Sequence, residues 1–276
     1  MANHPTGTVR TLSRTDPDGD GRAPEGNLRG LQGVLWDMDG TIVDTEPYWI
    51  RAEKDLVESY GGSWTTEQAT ALVGQALEYS AGRLQEAGVA LGIRAIIEHL
   101  TERVAADVRA AVPWRPGARE LLAALREEGI PCAMVTMSET LLATAVASRL
   151  PEGTFQHLVT GDRVSAGKPD PEAYQLGFDL LAADHPGLSK DRVVAVEDSL
   201  PGVTSALAAG LVTLAVPHFV PLPPDGRRTD WDTLAGHTPA DLAALLPTRT
   251  GADAGTGTGH DAGHADLREG GGAAHE

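Results

Sequence analysis

Two carboxylates lie close together near the start of the chain, where they could handle a cation or a phosphoryl group. Asp37 and Asp39 stand two residues apart, directly after the short apolar run 31–36. Carboxylates this close repel one another, so a bound metal or a shared proton is implied. Gly40 lets the backbone turn sharply, and Thr41 offers a hydroxyl group. From these residues alone, an acidic turn without chemistry is the alternative.

A second acidic pair, Glu197 and Asp198, follows the apolar run 192–196. Ligands in open parallel sheets bind beyond the carboxyl ends of the strands, so both pairs are expected at one edge of such a sheet. Mg²⁺ prefers oxygen ligands and keeps several waters, and one or two carboxylates from each strand would therefore be enough. The two pairs together indicate a Mg²⁺ site.

A hydroxyl and a lysine complete the set of residues that could bind phosphate. Thr136 ends an apolar run, and a strand-end hydroxyl followed by the N–H groups of a helix can bind phosphate. Ser138 is the expected N-cap of that helix, 139–150. Lys168 precedes Pro169, which fixes the local backbone, and an ammonium group suits a phosphate oxygen. The alternative for Lys168 is a solvated side chain in a turn.

These residues need a scaffold, and the alternation of apolar runs with helical patterns predicts one. Strands are predicted at 31–36, 131–136, 155–160, 192–196 and 211–216. Helices are predicted at 48–60, 116–128, 139–150, 171–183 (with Asp170 as N-cap), 200–209 and 239–246. The pattern predicts an α/β fold, a Rossmann-like three-layer parallel-sheet core. Residues 66–110 hold three helical stretches with few strand signals, which favours an inserted helical domain over a long loop.

The expected organisation has a core, an insertion and two tails. Residues 31–46 and 115–248 are expected to form the Rossmann-like core, and residues 47–114 an inserted α-helical cap. Residues 1–30 and 249–276 are rich in Gly and polar residues without periodicity, so both are predicted to be disordered.

Composition excludes several classes of partner. The net charge of −17 over 276 residues argues against nucleic acid and against an anionic membrane surface. No run approaches the roughly 20 apolar residues of a spanning helix, and the start of the chain lacks the apolar core of a signal peptide. The one cysteine, Cys132, cannot form an intramolecular disulfide and is expected in the core. A cytoplasmic monomer that acts on a small molecule is expected.

In their order along the chain, these features resemble the motifs of the haloacid dehalogenase-like hydrolase superfamily. The superfamily has Asp-x-Asp-Gly-Thr, a strand-end Ser or Thr, a Lys before Pro-Asp-Pro, and an acidic pair. The matches are 37–41, Thr136, 168–171 and 197–198, and the resemblance covers residues 31–217. Val-Asp-Thr-Glu-Pro at 43–47 is similar to the subgroup related to β-phosphoglucomutase, in which a helical cap follows the first motif.

The resemblance implies a Mg²⁺-dependent phosphatase acting on a small phosphorylated metabolite such as a sugar phosphate. Asp37 would be the nucleophile that forms an aspartyl-phosphate, and Asp39 would protonate the leaving oxygen and then activate water. The implied metal ligands are the carboxylates of Asp37 and Asp198 and the backbone carbonyl of Asp39. Glu197 would be a direct ligand or would hold the ligands in place.

The resemblance also implies how the phosphoryl group is held. Thr136 and Lys168 would bind it, together with backbone N–H groups near Met38, Asp39 and Met137. Candidate substrate contacts in the cap are Tyr48, Trp49, Gly74 and Gln75. Arg83 and Arg94 are either cap cations or solvated charges on helix faces.

Other functions on the same fold are alternatives. Asp39 is typical of phosphotransferases and is absent from dehalogenases, so dehalogenation is excluded. A β-phosphoglucomutase-like mutase would need a cap cation in a Gly-x-Ser-Arg-like segment, but residues 74–77 read Gly-Gln-Ala-Leu. Glu139 follows the phosphate motif and is poorly suited to a second phosphate. A non-catalytic domain would normally have lost a motif residue, and none is missing.

Overall fold

The computed structural model describes residues 30–248. The predicted disordered segments, apart from Gly30, therefore lie outside the described residues. Within the described part, six strands form one parallel sheet in the order β3-β2-β1-β4-β5-β6. The strands are β1 Gly33–Trp36, β2 Cys132–Val135, β3 His157–Val159, β4 Val193–Glu197, β5 Val212–Ala215 and β6 Thr229–Asp230.

The order of the strands brings the predicted motifs together. β1 lies between β2 and β4, so that Trp36 pairs with Met134 on one side and Val196 on the other. The chain fills one side of β1 first and then the other, and the point where the order reverses lies between β1 and β4. The residues after β1, β2 and β4 are thus neighbours at the edge where open α/β sheets bind ligands.

Both faces of the sheet are covered, as expected for parallel strands with continuous apolar runs. Val34 and Trp36 contribute to one hydrophobic cluster, and Leu35 faces the other. The helices are α1 Glu46–Ser59, α2 Thr66–Thr70, α3 Leu77–Glu86, α4 Ile93–Ala110, α5 Ala118–Glu127, α6 Thr140–Ala147, α7 Glu172–Asp184, α8 Leu200–Ala208 and α9 Pro239–Ala244. The predicted α/β class and the helical nature of residues 66–110 are confirmed.

Helices α1 and α3 pack on an apolar stripe of α4, and α2 packs on α1. Ile96, Leu100, Val104 and Val108 recur every four residues and are all buried. α4 contacts α1, α3 and α6, so the inserted helices share the hydrophobic cluster on one face of the sheet. None of the described helices is long and apolar enough to cross a membrane.

Two predicted helix caps and one strand differ from the structure. Pro171, not Asp170, is the N-cap of α7, although Asp170 Oδ1 accepts the Glu172 N–H at 2.9 Å. Glu139, not Ser138, is the N-cap of α6, because the Ser138 hydroxyl has a tertiary partner described below. Strand β6 was not predicted, since it is two residues long and carries no apolar pattern.

Candidate functional site

The backbone turns sharply where β1 ends. Asp37 N–H donates to Val196 O at 3.0 Å, which keeps Asp37 in line with the strand. Gly40 then adopts a φ of +88°, a conformation that L side chains rarely adopt. A Cβ atom on Gly40 would also overlap the Asp198 carboxylate. Glycine at this position is therefore required both by the turn and by the approach of Asp198.

Lys168 joins the two acidic motifs. Its Nζ lies 2.7 Å from Asp37 Oδ1, 2.5 Å from Glu197 Oε1 and 2.9 Å from Val135 O. Only 4% of its side chain is exposed. Burial alone would lower the pKa of Lys168, but the neighbouring carboxylates outweigh burial and the pKa is raised. The lysine is therefore a fixed positive charge beside Asp37.

Glu197 has protein partners for both carboxylate oxygens. Oε1 accepts from Lys168 and from the Tyr174 hydroxyl at 2.8 Å, while Oε2 accepts from the Ser199 hydroxyl at 3.3 Å. A Cβ atom on Gly202 would overlap this carboxylate, so the first turn of α8 must pass it without a side chain. This geometry suits a residue that holds Lys168 in place rather than one that gives its oxygens to a metal.

The site offers oxygen ligands of the kind that Mg²⁺ takes. Carboxylate oxygens of Asp37, Glu197 and Asp198 lie within 4.8 Å of one another. Asp37 Oδ2 is buried without a hydrogen-bond partner, and the Asp198 carboxylate accepts no hydrogen bond from the described residues. Burial, with the negative charge of Glu197, raises the pKa of Asp37 to about 7, and burial raises that of Asp198 well above its usual range. A divalent cation would offset the free-energy cost of burying these negative charges together, so the residues fit Mg²⁺.

The Asp39 side chain is oriented by hydroxyl groups and is not part of that group of three acids. It accepts hydrogen bonds from Thr45 Oγ1, from Ser138 Oγ at 2.7 Å and from Thr136 Oγ1 at 3.3 Å. Burial raises the pKa of Asp39, and these hydroxyl groups oppose the rise only in part. A carboxyl group in this setting can carry a proton and exchange it with a neighbouring oxygen.

In the part of the chain that the structure describes, several backbone donors around the two aspartates are free. Within the described residues, the N–H groups of Met38, Asp39 and Met137 donate no hydrogen bond. Thr136 Oγ1 accepts the Ser138 N–H at 3.0 Å, which closes the loop after β2. Free N–H groups beside a buried lysine are the usual components of an oxyanion or phosphate site.

The start of helix α6 itself is occupied by an acid. Asp162 Oδ1 accepts the Thr140 N–H at 3.2 Å and the Thr140 hydroxyl at 2.9 Å. The N–H groups at the start of α6, which the sequence predicted to bind phosphate, are therefore partly engaged by Asp162. Within the described residues, the free N–H groups lie in the loop that precedes the helix. Sequence reasoning did not identify Asp162, because its partner is 22 residues away.

A second cluster of charged and polar side chains was also not predicted from the sequence. Arg115 Nη1 lies 2.6 Å from His218 Nδ1, and His218 Nε2 lies 3.3 Å from Asp44 Oδ2. The Asp44 N–H donates to Pro113 O at 2.8 Å, so the chain segments that enter and leave the inserted helices run side by side. No local spacing links these residues, and only the fold brings them together.

The four candidate cap residues differ in their surroundings. The Tyr48 hydroxyl donates to Ala111 O at 2.9 Å, and Trp49 packs against the hydrophobic cluster. Gly74 and Gln75 lie exposed in the segment between α2 and α3. Across residues 30–248, no hydrogen bond joins any of these four residues to the side chain of Asp37 or Asp39. Their role in substrate binding remains a prediction.

Comparison with known proteins agrees with this geometry. Residues 31–210 match the family model described as haloacid dehalogenase-like hydrolase. The chain is 32% identical over 186 residues to the phosphorylated carbohydrates phosphatase of Thermotoga maritima, covering 66% of this chain and 82% of that protein. It is 35% identical over 191 residues to hexitol phosphatase A of Escherichia coli, covering 67% and 82%.

A solved structure shows the same arrangement of elements. CbbY from Rhodobacter sphaeroides, in complex with xylulose-(1,5)bisphosphate, superposes with a TM-score of 0.69 at 26% identity, covering 79% of this chain and all of CbbY. The family match spans more than half of the chain and includes the residues after β1, β2 and β4. The chain therefore belongs to the haloacid dehalogenase-like hydrolase family.

Proposed function

We propose that this protein is a Mg²⁺-dependent phosphatase that hydrolyses small phosphorylated metabolites, sugar phosphates among them, through an aspartyl-phosphate on Asp37. The observation that supports the proposal most is the position of Lys168, whose ammonium group lies 2.7 Å from Asp37 Oδ1 at the edge where three strands end. The named relatives are phosphatases of phosphorylated carbohydrates and of hexitol phosphates.

In the first step, a carboxylate oxygen of Asp37 attacks the phosphorus atom. The bond from phosphorus to the substrate oxygen breaks, and that oxygen takes the proton of Asp39. The raised pKa of Asp39 keeps the proton available, since burial penalises its charged form. Lys168 and the free N–H groups of Met38, Asp39 and Met137 stabilise the charge on the transferring group.

In the second step, water attacks the phosphorus atom of the aspartyl-phosphate. Asp39, now ionised, takes a proton from that water, and the Asp37 carboxylate leaves with the electron pair of its bond to phosphorus. The hydroxyl groups of Thr45 and Ser138 keep the Asp39 carboxylate in one orientation through both steps. Inorganic phosphate is the product.

The implied metal has a defined place in this scheme. Asp37 and Asp198 carboxylates and the backbone carbonyl of Asp39 would hold Mg²⁺, and Glu197 would fix Lys168 beside them. Bound there, Mg²⁺ would supply positive charge that offsets the repulsion between the carboxylates and the phosphoryl oxygens.

We also propose that residues 47–114 form a cap over this edge of the sheet. Thr45, just before α1, donates to Asp39, and the two connecting segments run side by side at Asp44 and Pro113. A cap hinged at these segments would exclude water while Asp39 carries its proton.

The test of the proposal is the variant Asp37→Asn, assayed with p-nitrophenyl phosphate with and without Mg²⁺. We expect a loss of at least about a thousandfold in kcat, because the amide is a poor nucleophile, without a lower melting temperature. Asp55→Asn, on the exposed face of α1, is the matched control and should behave as wild type. Undiminished turnover by Asp37→Asn, or full activity of the wild type in EDTA, would overturn the proposal.

A further inference from the structure

The proposed role of Asp39 defines where the leaving group of a substrate must lie. Because Asp39 protonates the leaving oxygen, that part of the substrate lies alongside its carboxyl group. Ser138 touches this carboxyl through its hydroxyl group at 2.7 Å, and Glu139 is the next residue. The side chain of Glu139 is 15% exposed, so it packs against the protein rather than extending into solvent.

Glu139 is paired with a cation from the inserted helices. Arg94, in the first turn of α4, donates through Nη1 to Glu139 Oε1 and through Nη2 to Oε2 at 2.9 Å. Two parallel N–H donors on one carboxylate form the bidentate arrangement that guanidinium groups favour. Arg94 also donates to Glu98 at 2.9 Å, one turn further along α4. Two acids therefore share one guanidinium group.

Among residues 30–248, the remaining charges around the loop after β2 add no unpaired cation. Within the described residues, Arg94 is the one cationic side chain with an ion pair to residues 136–140. Lys168 is committed to Asp37 and Glu197, and Asp162 adds a carboxylate at Thr140. A leaving group that carried its own negative charge would meet the carboxylates of Glu139 and Asp162. The one arginine there, Arg94, is already neutralised by its ion pairs.

We propose that the Arg94–Glu139 pair is a charge filter that selects substrates with one phosphate on an uncharged leaving group, such as a hexitol monophosphate, and disfavours bisphosphates. This inference rests on the proposed phosphatase function and narrows its substrate class. It separates two kinds of relative: hexitol phosphatase A is named for hexitol phosphates, whereas CbbY was crystallised with xylulose-(1,5)bisphosphate. Glu139 and Arg94 act on the choice of substrate and not on the phosphorus atom.

The experiment compares kcat/KM for sorbitol 6-phosphate with that for xylulose 1,5-bisphosphate in three variants, with p-nitrophenyl phosphate as the reference substrate. Wild type should prefer the monophosphate. Glu139→Gln leaves Arg94 paired with Glu98 alone, so the ratio of bisphosphate to monophosphate turnover should rise about fivefold at low salt. Arg94→Gln leaves Glu139 unneutralised, so the ratio should fall. Glu86→Gln, which breaks the exposed Arg83–Glu86 pair on α3, is the matched control and should leave the ratio unchanged.

The outcomes distinguish failure of the charge filter from failure of the proposed phosphatase function. Changes of opposite sign in Glu139→Gln and Arg94→Gln, both shrinking as salt is raised, would support the filter. A wild type that prefers the bisphosphate, or a ratio that neither variant changes while p-nitrophenyl phosphate is still hydrolysed, would overturn it alone. No phosphate release by wild type from any of the three substrates would overturn the proposed function and this inference with it. Arg94→Gln leaves α6 intact and decides the question if Glu139→Gln melts at a lower temperature.

Discussion

The site at the strand ends and the contacts of helices α1–α4 are built in different ways. Around Lys168, three charged side chains are at most 10% exposed, and each has a fixed partner. In the inserted helices the ion pairs lie at the surface, and the Arg94 side chain is 61% exposed. Buried charges must be paired at high cost, whereas exposed pairs contribute little and can be exchanged.

The proposed charge filter would separate specificity from chemistry in this chain. Removing the charge of Lys168 should alter folding and catalysis together, because Lys168 is the partner of two buried carboxylates. At the Arg94–Glu139 pair, where the arginine side chain is 61% exposed, we expect a change to alter which substrate is accepted and not the chemistry. Under this proposal the chemistry would be kept while the substrate class changes.

The largest effect is expected at the centre of the buried group. Lys168→Met leaves Asp37 and Glu197 buried without their cation, and breaking a buried pair typically costs about 3–5 kcal/mol. We expect that loss in the free energy of unfolding, measured by urea denaturation, together with loss of phosphatase activity. Lys54→Met, in an exposed pair with Glu58, is the control and should cost less than about 1 kcal/mol. Equal costs would show that burial does not distinguish the two regions.

The same contrast explains how much could be predicted from the sequence. Asp37, Asp39 and the Glu197–Asp198 pair follow apolar runs, and this local pattern predicted their position at the strand ends. The predicted superfamily, the fold class and a hydrolase of phosphate esters are confirmed. The monomeric state and cytoplasmic location stay predictions.

What escaped prediction depends on contacts between distant segments. Ser138 has a good N-cap sequence, but its hydroxyl bonds to Asp39, 99 residues away, and Glu139 becomes the cap. Arg94 has no pattern that points to Glu139, 45 residues later. Strand β6 has only two residues and is defined by its pairing with β5. In each case a tertiary partner decided the outcome, and periodicity does not encode it.

The next largest effect concerns the metal site and uses two glycines with similar backbones. Gly40 and Gly61 have φ values of +88° and +78°, so alanine should strain both by roughly 1–2 kcal/mol. Only at Gly40 does the new Cβ atom overlap a neighbour, the Asp198 carboxylate, while at Gly61 nothing lies within 4 Å. We expect Gly40→Ala to weaken Mg²⁺ binding at least about tenfold, because Asp198 must move.

The readout is the rise in melting temperature on adding Mg²⁺, which reports binding to the folded state without an assay of activity. Gly61→Ala should melt at a lower temperature than wild type but keep the full Mg²⁺-dependent rise. If Gly40→Ala kept that rise too, Asp198 would not be a ligand, and the proposed metal site would be wrong.

A smaller effect should appear as a dependence on pH within the inserted helices. Glu53 on α1 is buried and accepts from Trp64 Nε1 at 3.3 Å. Burial raises the pKa of Glu53 to about 7 from an ordinary value of 4.5, so folding must take up a proton or bury a charge. The protonated form is favoured in the folded state, and its contribution to stability is therefore lost as the pH rises from 4.5 through about 7.

Glu53→Gln keeps an acceptor for Trp64 and removes the titration. We expect the variant to be more stable than wild type by about 1–3 kcal/mol at pH 8 and nearly equal to it at pH 5, measured by urea denaturation. Glu98→Gln on the exposed face of α4 is the control and should show little difference between the two pH values. A gain that was the same at both pH values would mean that the carboxyl group of Glu53 does not titrate with folding.

The smallest effect is expected at an ion pair that joins two of the inserted helices. Arg51 Nη2 on α1 lies 2.6 Å from Asp107 Oδ2 on α4, and 47% of the arginine side chain is exposed. Arg103 also lies 3.6 Å from Asp107, so Arg51→Gln leaves that acid with a partner. We expect a double-mutant cycle of Arg51→Gln and Asp107→Asn to give a coupling free energy below about 1 kcal/mol. We expect no change in kcat/KM. A coupling above about 2 kcal/mol would contradict the comparison, because α1 and α4 would then be held together by charge and not by the buried stripe of Ile96, Leu100 and Val104.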